Sequence, residues 1–284
     1  MIQINNLSFG YRKKNLLFQN LNLSLSRGHI YGLLGKNGAG KSTLLKNMIG
    51  LAYPTAGTCT IDGADASKRW PQVLQNLYFL PEEIYVPALT TTQYVSRTAC
   101  FYPRFSEQEF YQYLAEFEVP REAVLDKLSF GQQKKMMIAF GLATNTDLLV
   151  MDEPTNGLDI PSKVQFRKII ASALTEERCV IISTHQVRDL ESLIDTLVVV
   201  HNREIVVNQE LDQISEKLLF TTVPSAQDHQ LLYAEESLRG VNVILPNPEG
   251  VYSKVDMELF FNAIISGNPA ILQLLNSNHL QNAI

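Results

Sequence analysis

Cysteine is scarce. The 284 residues include three, Cys59, Cys100 and Cys179, which lie far apart and without CxxC or Cys/His ligand spacing. That argues against a disulfide-stapled scaffold and a cysteine zinc site, and it suits a reducing compartment. Long apolar runs are missing as well. No stretch approaches the roughly 18 consecutive apolar residues of a spanning helix, so any work at a membrane needs a membrane part carried on another polypeptide. Residues 1–9 alternate polar and apolar side chains and lack the charged head and apolar run of a signal peptide. Basic excess is absent too: the formal net charge is −5, and Arg12, Lys13 and Lys14 form only a short cluster. Such a cluster reads as a solvated turn, and no nucleic-acid partner is expected. Internal repeats, low-complexity segments and sustained heptads are likewise missing.

What is present is enough apolar material, 45% of the chain, to bury one large domain and a small one. Ile2, Ile4, Leu7 and Phe9, then Leu21, Leu23 and Leu25, alternate as strands of an antiparallel sheet. From Ile30 the pattern changes to short apolar strands joined by helices, at Ile30–Leu34, 148–151 and 180–183, which is the signature of a parallel α/β core. Residues about 84–145 are rich in helical spacing and read as a helical insertion, with Ser106 as a cap and Glu109 three residues on. Strands 197–200 and 205–207 read as a closing hairpin. The large domain is expected to span 1–215 and a small C-terminal accessory domain 216–284. In the latter, Ser253 to Asp256 offers a capping-box start to a helix, and Asn268-Pro269 the start of another.

The strongest local signal is Gly35-Lys36-Asn37-Gly38-Ala39-Gly40-Lys41-Ser42, followed by Thr43, between an apolar strand and a helical run. This GxxxxGKS pattern in that context is a phosphate-binding loop. Its glycines let backbone N–H groups face phosphate oxygens, Lys41 meets the β- and γ-phosphates as a point charge, and the Ser42 hydroxyl is a small neutral ligand for Mg²⁺. A hydrolytic site also needs acids at the end of a neighbouring strand. Asp152 and Glu153 supply them after the apolar run 148–151: Asp152 for the Mg²⁺ shell, Glu153 to accept a proton from the attacking water.

Between the two motifs, Leu128-Ser129-Phe130-Gly131-Gln132 resembles the LSGGQ signature of ATP-binding-cassette (ABC) ATPases. Pro154 to Asp159 resembles that family's D-loop, His185 its switch histidine, and Tyr11 its adenine-stacking aromatic residue. The resemblance covers about residues 1–210. It implies an ABC-type P-loop NTPase that binds ATP and Mg²⁺, with His185 holding Glu153 and the water in register. It also implies a second ATPase subunit, identical or different, whose Ser129 and Gly131 close on the nucleotide, and an integral-membrane permease partner at the cytoplasmic face. Donors at a helix start suit a γ-phosphate, so ATP can bridge subunits where ADP cannot.

Two residues depart from the family pattern. Phe130 replaces the first of the two glycines of the signature, so its ring must point away from the nucleotide. Glu82, in Phe79-Leu80-Pro81-Glu82, stands where the family has glutamine. It is expected to engage the cation only on closure and otherwise to turn toward solvent or the membrane partner, because an ionised carboxylate is repelled by phosphate and by nearby acids. A soluble ABC protein remodelling ribosomes or DNA is the rival reading; such proteins join two cassettes or insert a long coiled coil, and this chain has one phosphate loop. A subunit with a dead site conflicts with the presence of Lys41, Asp152, Glu153 and His185. Compact single cassettes resemble exporter ATPases, which tilts the expected direction toward export.

Overall fold

The computed structural model describes residues 1–12, 15–225 and 231–276; Lys13 and Lys14 of the basic cluster lie outside them. Strands β1 (Ile2–Phe9) and β2 (Phe18–Leu25) pair antiparallel, with Ile2 opposite Leu25 and Ile4 opposite Leu23. Strand β3 (Ile30–Leu34) is buried at every position, as a parallel strand covered on both faces must be, and feeds helix α1 (Lys41–Met48). Strand β4 (Ala56–Ile61) returns to pair with β1, and β5 (Ala64–Asp65) adds an edge, giving the sheet order β2-β1-β4-β5. Helix α2 (Pro71–Leu74), with proline in its first turn, leads into β6 (Leu77–Leu80).

The helical part follows as α3 (Thr91–Thr98), α4 (Glu107–Glu116) and α5 (Phe130–Ala143). Thr90 with Gln93, and Ser129 with Gln132, form reciprocal capping boxes, while the Ser106 hydroxyl caps α4. Phe140 of α5 fastens this part to the sheet. The rings of Tyr78, Tyr94, Tyr102, Phe105 and Phe110 surround it at centroid distances of 5.1 to 6.0 Å, and such edge and tilted contacts add to simple burial.

Strands β7 (Leu148–Asp152) and β8 (Cys179–Thr184) flank helix α6 (Ile160–Ser172) in the chain, and the hairpin β9 (Thr196–His201) with β10 (Glu204–Glu210) follows. The resulting six-stranded sheet has the order β10-β9-β3-β8-β7-β6 and is parallel except at the hairpin. Because β8 lies between β3 and β7, three sequence-distant segments leave the same C-terminal edge of the sheet: the loop after Leu34, the turn after Thr184 and the acids at Asp152. Open α/β sheets bind their ligands at that edge.

The C-terminal segment departs from the sequence reading in three ways. Position 215 falls inside helix α7 (Leu211–Lys217), so no linker separates the parts there. Beyond it, β11 (Leu218–Val223), β12 (Tyr233–Ser237) and β13 (Gly240–Pro246) form an antiparallel sheet, ordered β11-β13-β12, that the short proline-punctuated runs do not announce. Helix α8 (Met257–Ile265) is capped by Asp256, whose carboxylate accepts from the Leu259 N–H; the Ser253 hydroxyl instead accepts from the Phe220 N–H. Helix α9 (Pro269–Asn276) does start at Asn268-Pro269, with the Asn268 side-chain Oδ1 accepting from the Ala270 N–H.

Leu218, Ile244, Phe260 and Ile264 of this segment share one buried cluster with Val187, Leu190, Leu193 and Ile194, which follow β8. The segment is therefore part of the same apolar core. Replacing the fully buried Phe260 by alanine is expected to cost about 3–5 kcal/mol, read as a lower midpoint in one urea transition monitored by both far-UV dichroism and the single Trp70. Two separate transitions would show that the segment folds independently.

Candidate active site

The phosphate loop wraps from Gly35 to the start of α1, where first-turn N–H groups have no intrahelical acceptor and the helix dipole presents its positive end. Gly40 has φ 106°, and a Cβ there would meet the Phe18 ring at 2.7 Å, so only glycine lets the loop enter the helix. A Cβ on Gly38 would meet nothing within 4 Å, so the loop is open at that point. The Lys41 ammonium is buried and donates to the Gly35 carbonyl at 2.9 Å. Ser42 and Thr43 line a cleft of about 480 Å³ together with Tyr11, Arg12, Gly38 and Arg203. The Tyr11 ring stands edge-on to Phe9, its hydroxyl 3.0 Å from Thr43 Oγ1, and it is 72% exposed, so its free face is available for stacking. Asn37 and Ala39 belong to the loop itself, where the Ala39 N–H donates to the Lys36 carbonyl.

Across the sheet edge, Asp152 and Glu153 are both buried. Asp152 Oδ1 accepts from the Ser183 hydroxyl at 2.5 Å, and the same hydroxyl oxygen accepts from the Glu153 N–H at 3.1 Å. Glu153 has φ 48°, a turn that bends its side chain off the strand line toward the loop. Its Oε1 lies 2.9 Å from His185 Nδ1 and 3.7 Å from Lys41 Nζ. A carboxylate only accepts, so the His185 proton facing it is on Nδ1. Ser183 escaped the sequence reading because only the pairing of β7 with β8, which sets it level with Asp152, reveals its position.

The remaining candidates lie away from this centre. Ser129 and Gln132 bond to each other's backbone at the α5 start, and neither lines the Tyr11 cleft. Gly131 sits beside the Gly157 carbonyl, which a Cβ would approach to 3.0 Å. Asp159 caps α6 by accepting from Ser162, and those hydrogen bonds hold its carboxyl below the ordinary carboxylate range. The Phe130 ring turns onto Gly157 and lies over the Lys134 ammonium at 5.4 Å. Glu82 is exposed, as its charge requires, yet it is not turned freely to solvent: its Oε1 accepts from Asn156 Nδ2 at 3.2 Å. Lys134, also missed in sequence, is fully buried and donates to the carbonyls of Glu153 at 2.9 Å and Asn156 at 3.3 Å.

The residues fit a nucleotide with its cation. Glu153 Oε2 is buried and receives no hydrogen bond from the described residues, so a polar group is wanting beside it. No cluster of three His, Cys, Asp or Glu among the described residues makes a protein-only metal site, so a cation here would need phosphate oxygens beside Ser42 and Asp152.

A phosphate loop facing two acids and a histidine across a parallel sheet defines a P-loop nucleotide hydrolase. The family model for ABC transporters matches residues 18–156. The lantibiotic transport ATP-binding protein SrtF of Streptococcus pyogenes is 30% identical, over 75% of this chain and 92% of its own length. The Nod factor export ATP-binding protein I of Burkholderia orbicola (strain AU 1054) is 31% identical, over 70% and 67%. A solved ATP-binding subunit of an ABC transporter matches with a TM-score of 0.68 and 26% identity, covering 75% of this chain and 91% of that one. The chain belongs to the family of ABC transporter ATP-binding proteins, and it is an ATP-binding ATPase cassette. The dimeric structure of MJ0796, a bacterial ABC transporter cassette, shares the fold at a TM-score of 0.66 and 22% identity, covering 74% of this chain and 99% of that one.

Lys41 is the one ammonium that reaches the loop carbonyls among the described residues. Lys41→Ala is expected to lower steady-state ATP hydrolysis by about a hundredfold or more and to weaken nucleotide binding. Turnover within about twofold of the parent would contradict this placement.

Proposed function

We propose that this chain powers an exporter as its ATP-hydrolysing subunit, paired with a second ATPase subunit beneath a separate permease on the cytoplasmic face of the membrane. The observation that carries the catalytic part is the Glu153 carboxylate, buried, held on Oε1 by His185 and Lys41 and, among the described residues, without a hydrogen-bond partner on Oε2. The loop N–H groups and Lys41 hold the β- and γ-phosphates, and Tyr11 stacks on the adenine. Ser42 and Asp152 would hold Mg²⁺, which when bound neutralises phosphate charge. Glu153 Oε2 accepts a proton from water as the water oxygen bonds to the γ-phosphorus and the bond from that phosphorus to the bridging oxygen breaks. His185 keeps Glu153 in that orientation.

One subunit's cleft lacks the signature residues, since Ser129 and Gln132 lie elsewhere on the same chain. A second subunit supplying Ser129 and Gly131 completes the site, so the pair closes on ATP and parts after hydrolysis. Support for the permease comes from a groove of about 440 Å³ in which Ile49, Leu51, Leu74, Phe79 and Phe101 lie beside Arg69 and Gln75. Export is supported by the relative named for Nod factor export. The C-terminal segment serves as an accessory element that tunes assembly or activity, because its described residues line none of the nucleotide cleft.

Glu153→Gln keeps shape and loses the base. It is expected to bind ATP, to hydrolyse it about a hundredfold more slowly or worse, and to elute as an ATP-dependent dimer in size-exclusion chromatography. A monomer at saturating ATP would overturn the paired site.

A further inference from the structure

Lys134 lies one turn into α5, with none of its surface exposed. Burying an ammonium is costly unless hydrogen bonds and opposite charge offset it, and an apolar side chain of similar volume usually fills such a position at lower cost. Here the ammonium meets two carbonyls and an aromatic face, with no carboxylate within 4.0 Å among the described residues. Burial lowers its pKa from the ordinary lysine value, and the charges of Glu82, Glu153 and Asp152, Glu82 foremost, act against that.

The two carbonyls are informative. Glu153 occupies a left-handed backbone conformation that a non-glycine residue keeps only when its surroundings impose it. Its N–H is fixed by Ser183 and its C=O by Lys134 together with the Asn156 N–H, so both flanking peptides are held and the carboxylate stays beside His185. Asn156 receives the same ammonium on its carbonyl and donates its side-chain amide to Glu82. The start of α5 and the loop after β7 therefore meet at one cation, and Asn156 of that loop links them to the stretch after β6 that carries glutamate where the family has glutamine.

We propose that Lys134 is a positioning residue for hydrolysis: it holds the Glu153 backbone in register and offsets the charge of Glu82, which takes the side-chain amide of the same Asn156 whose carbonyl the ammonium holds. The proposal rests on Glu153 being the base. Because Lys134 rides on the helix that begins at Ser129, a shift of that helix on subunit closure moves the support of Glu153 with it. Without the ammonium, the Glu153 carbonyl keeps only the Asn156 N–H, at 3.2 Å, and the negative charges that act on Lys134 lose their buried cation, so removal of the Glu82 charge should restore part of the loss.

The test uses the full chain with Mg²⁺ and ATP, measuring kcat, KM and the affinity for a fluorescent ATP analogue. Lys134→Met keeps the volume; Lys134→Gln also keeps a donor for the carbonyls. Both are expected to lower kcat by at least about tenfold while analogue affinity changes by less than about threefold, and adding Glu82→Gln should recover at least about threefold in kcat. A folded Lys134 variant with kcat within about twofold of the parent would overturn the proposal. So would an equal loss with and without Glu82→Gln, or failure of both uncharged variants to fold, which would make the ammonium a requirement of the fold alone. Glu153→Gln, run beside them, separates the two readings: if it hydrolyses ATP normally the assignment of the base fails, whatever Lys134 does.

Discussion

A carboxylate buried at the end of a strand is the constraint on which the site depends. Glu153 is 4% exposed, and an ionised acid at such depth is tolerated only among cations and donors. Lys41 from the phosphate loop and His185 from the turn after β8 reach the carboxylate itself, while Ser183 of β8 and Lys134 of α5 hold the Glu153 backbone, on its N–H and its carbonyl. These segments are distant in sequence. They converge because β8 is inserted between β3 and β7, so the strand order of the sheet is itself a requirement of the chemistry. A different order would leave the same residues unable to neutralise the acid.

The loop that follows, Glu153 to Asp159, is gripped along its length. Thr155 donates to Asp189, whose carboxylate also receives Lys163 of α6 at 2.7 Å. The neighbour of Asp189, Arg188, pairs with Glu258 of α8. Exposed pairs such as this last one contribute little stability on their own; the shared apolar cluster under Val187 and Phe260 holds the C-terminal segment there. The segment thus abuts the stretch that follows His185 without reaching the nucleotide cleft, which is compatible with an accessory role and with no phosphate ligand in it.

The phosphate loop and acidic pair were legible because local spacing encodes them: glycines at fixed offsets, a lysine and serine at a helix start, two acids after an apolar strand. Burial of β3, β7 and β8 on both faces leaves an uninterrupted apolar run that a sequence can display. The sheet of β11, β12 and β13 was not legible for the opposite reason. Its strands are partly exposed and carry mixed polar residues, Thr221, Glu235 and Asn242 among them, so neither alternation nor a continuous run stands out. Ser183 and Lys134 escaped on different grounds. Their roles come from pairing across strands and from a helix face buried against a loop, which are relations between segments and leave no mark within any one window.

The two departures from the family pattern are coupled through one loop. Phe130 would collide with a side chain at position 157, since a Cβ there would lie 2.7 Å from its ring, and Gly157, at φ 82°, is free of one. Glu82 takes the Asn156 amide in the same loop. Lys134 lies beneath both, its ammonium facing the Phe130 ring and donating to the Asn156 carbonyl. An aromatic ring over an ammonium is favourable where water is excluded, and the same cation lowers the local cost of an added carboxylate. The bulky signature residue and the acidic residue after β6 therefore draw on a single buried charge. Restoring the family residue at either position alone would change what that charge meets at the other, so the effects of the two substitutions are expected to be non-additive even though Phe130 and Glu82 share no hydrogen bond.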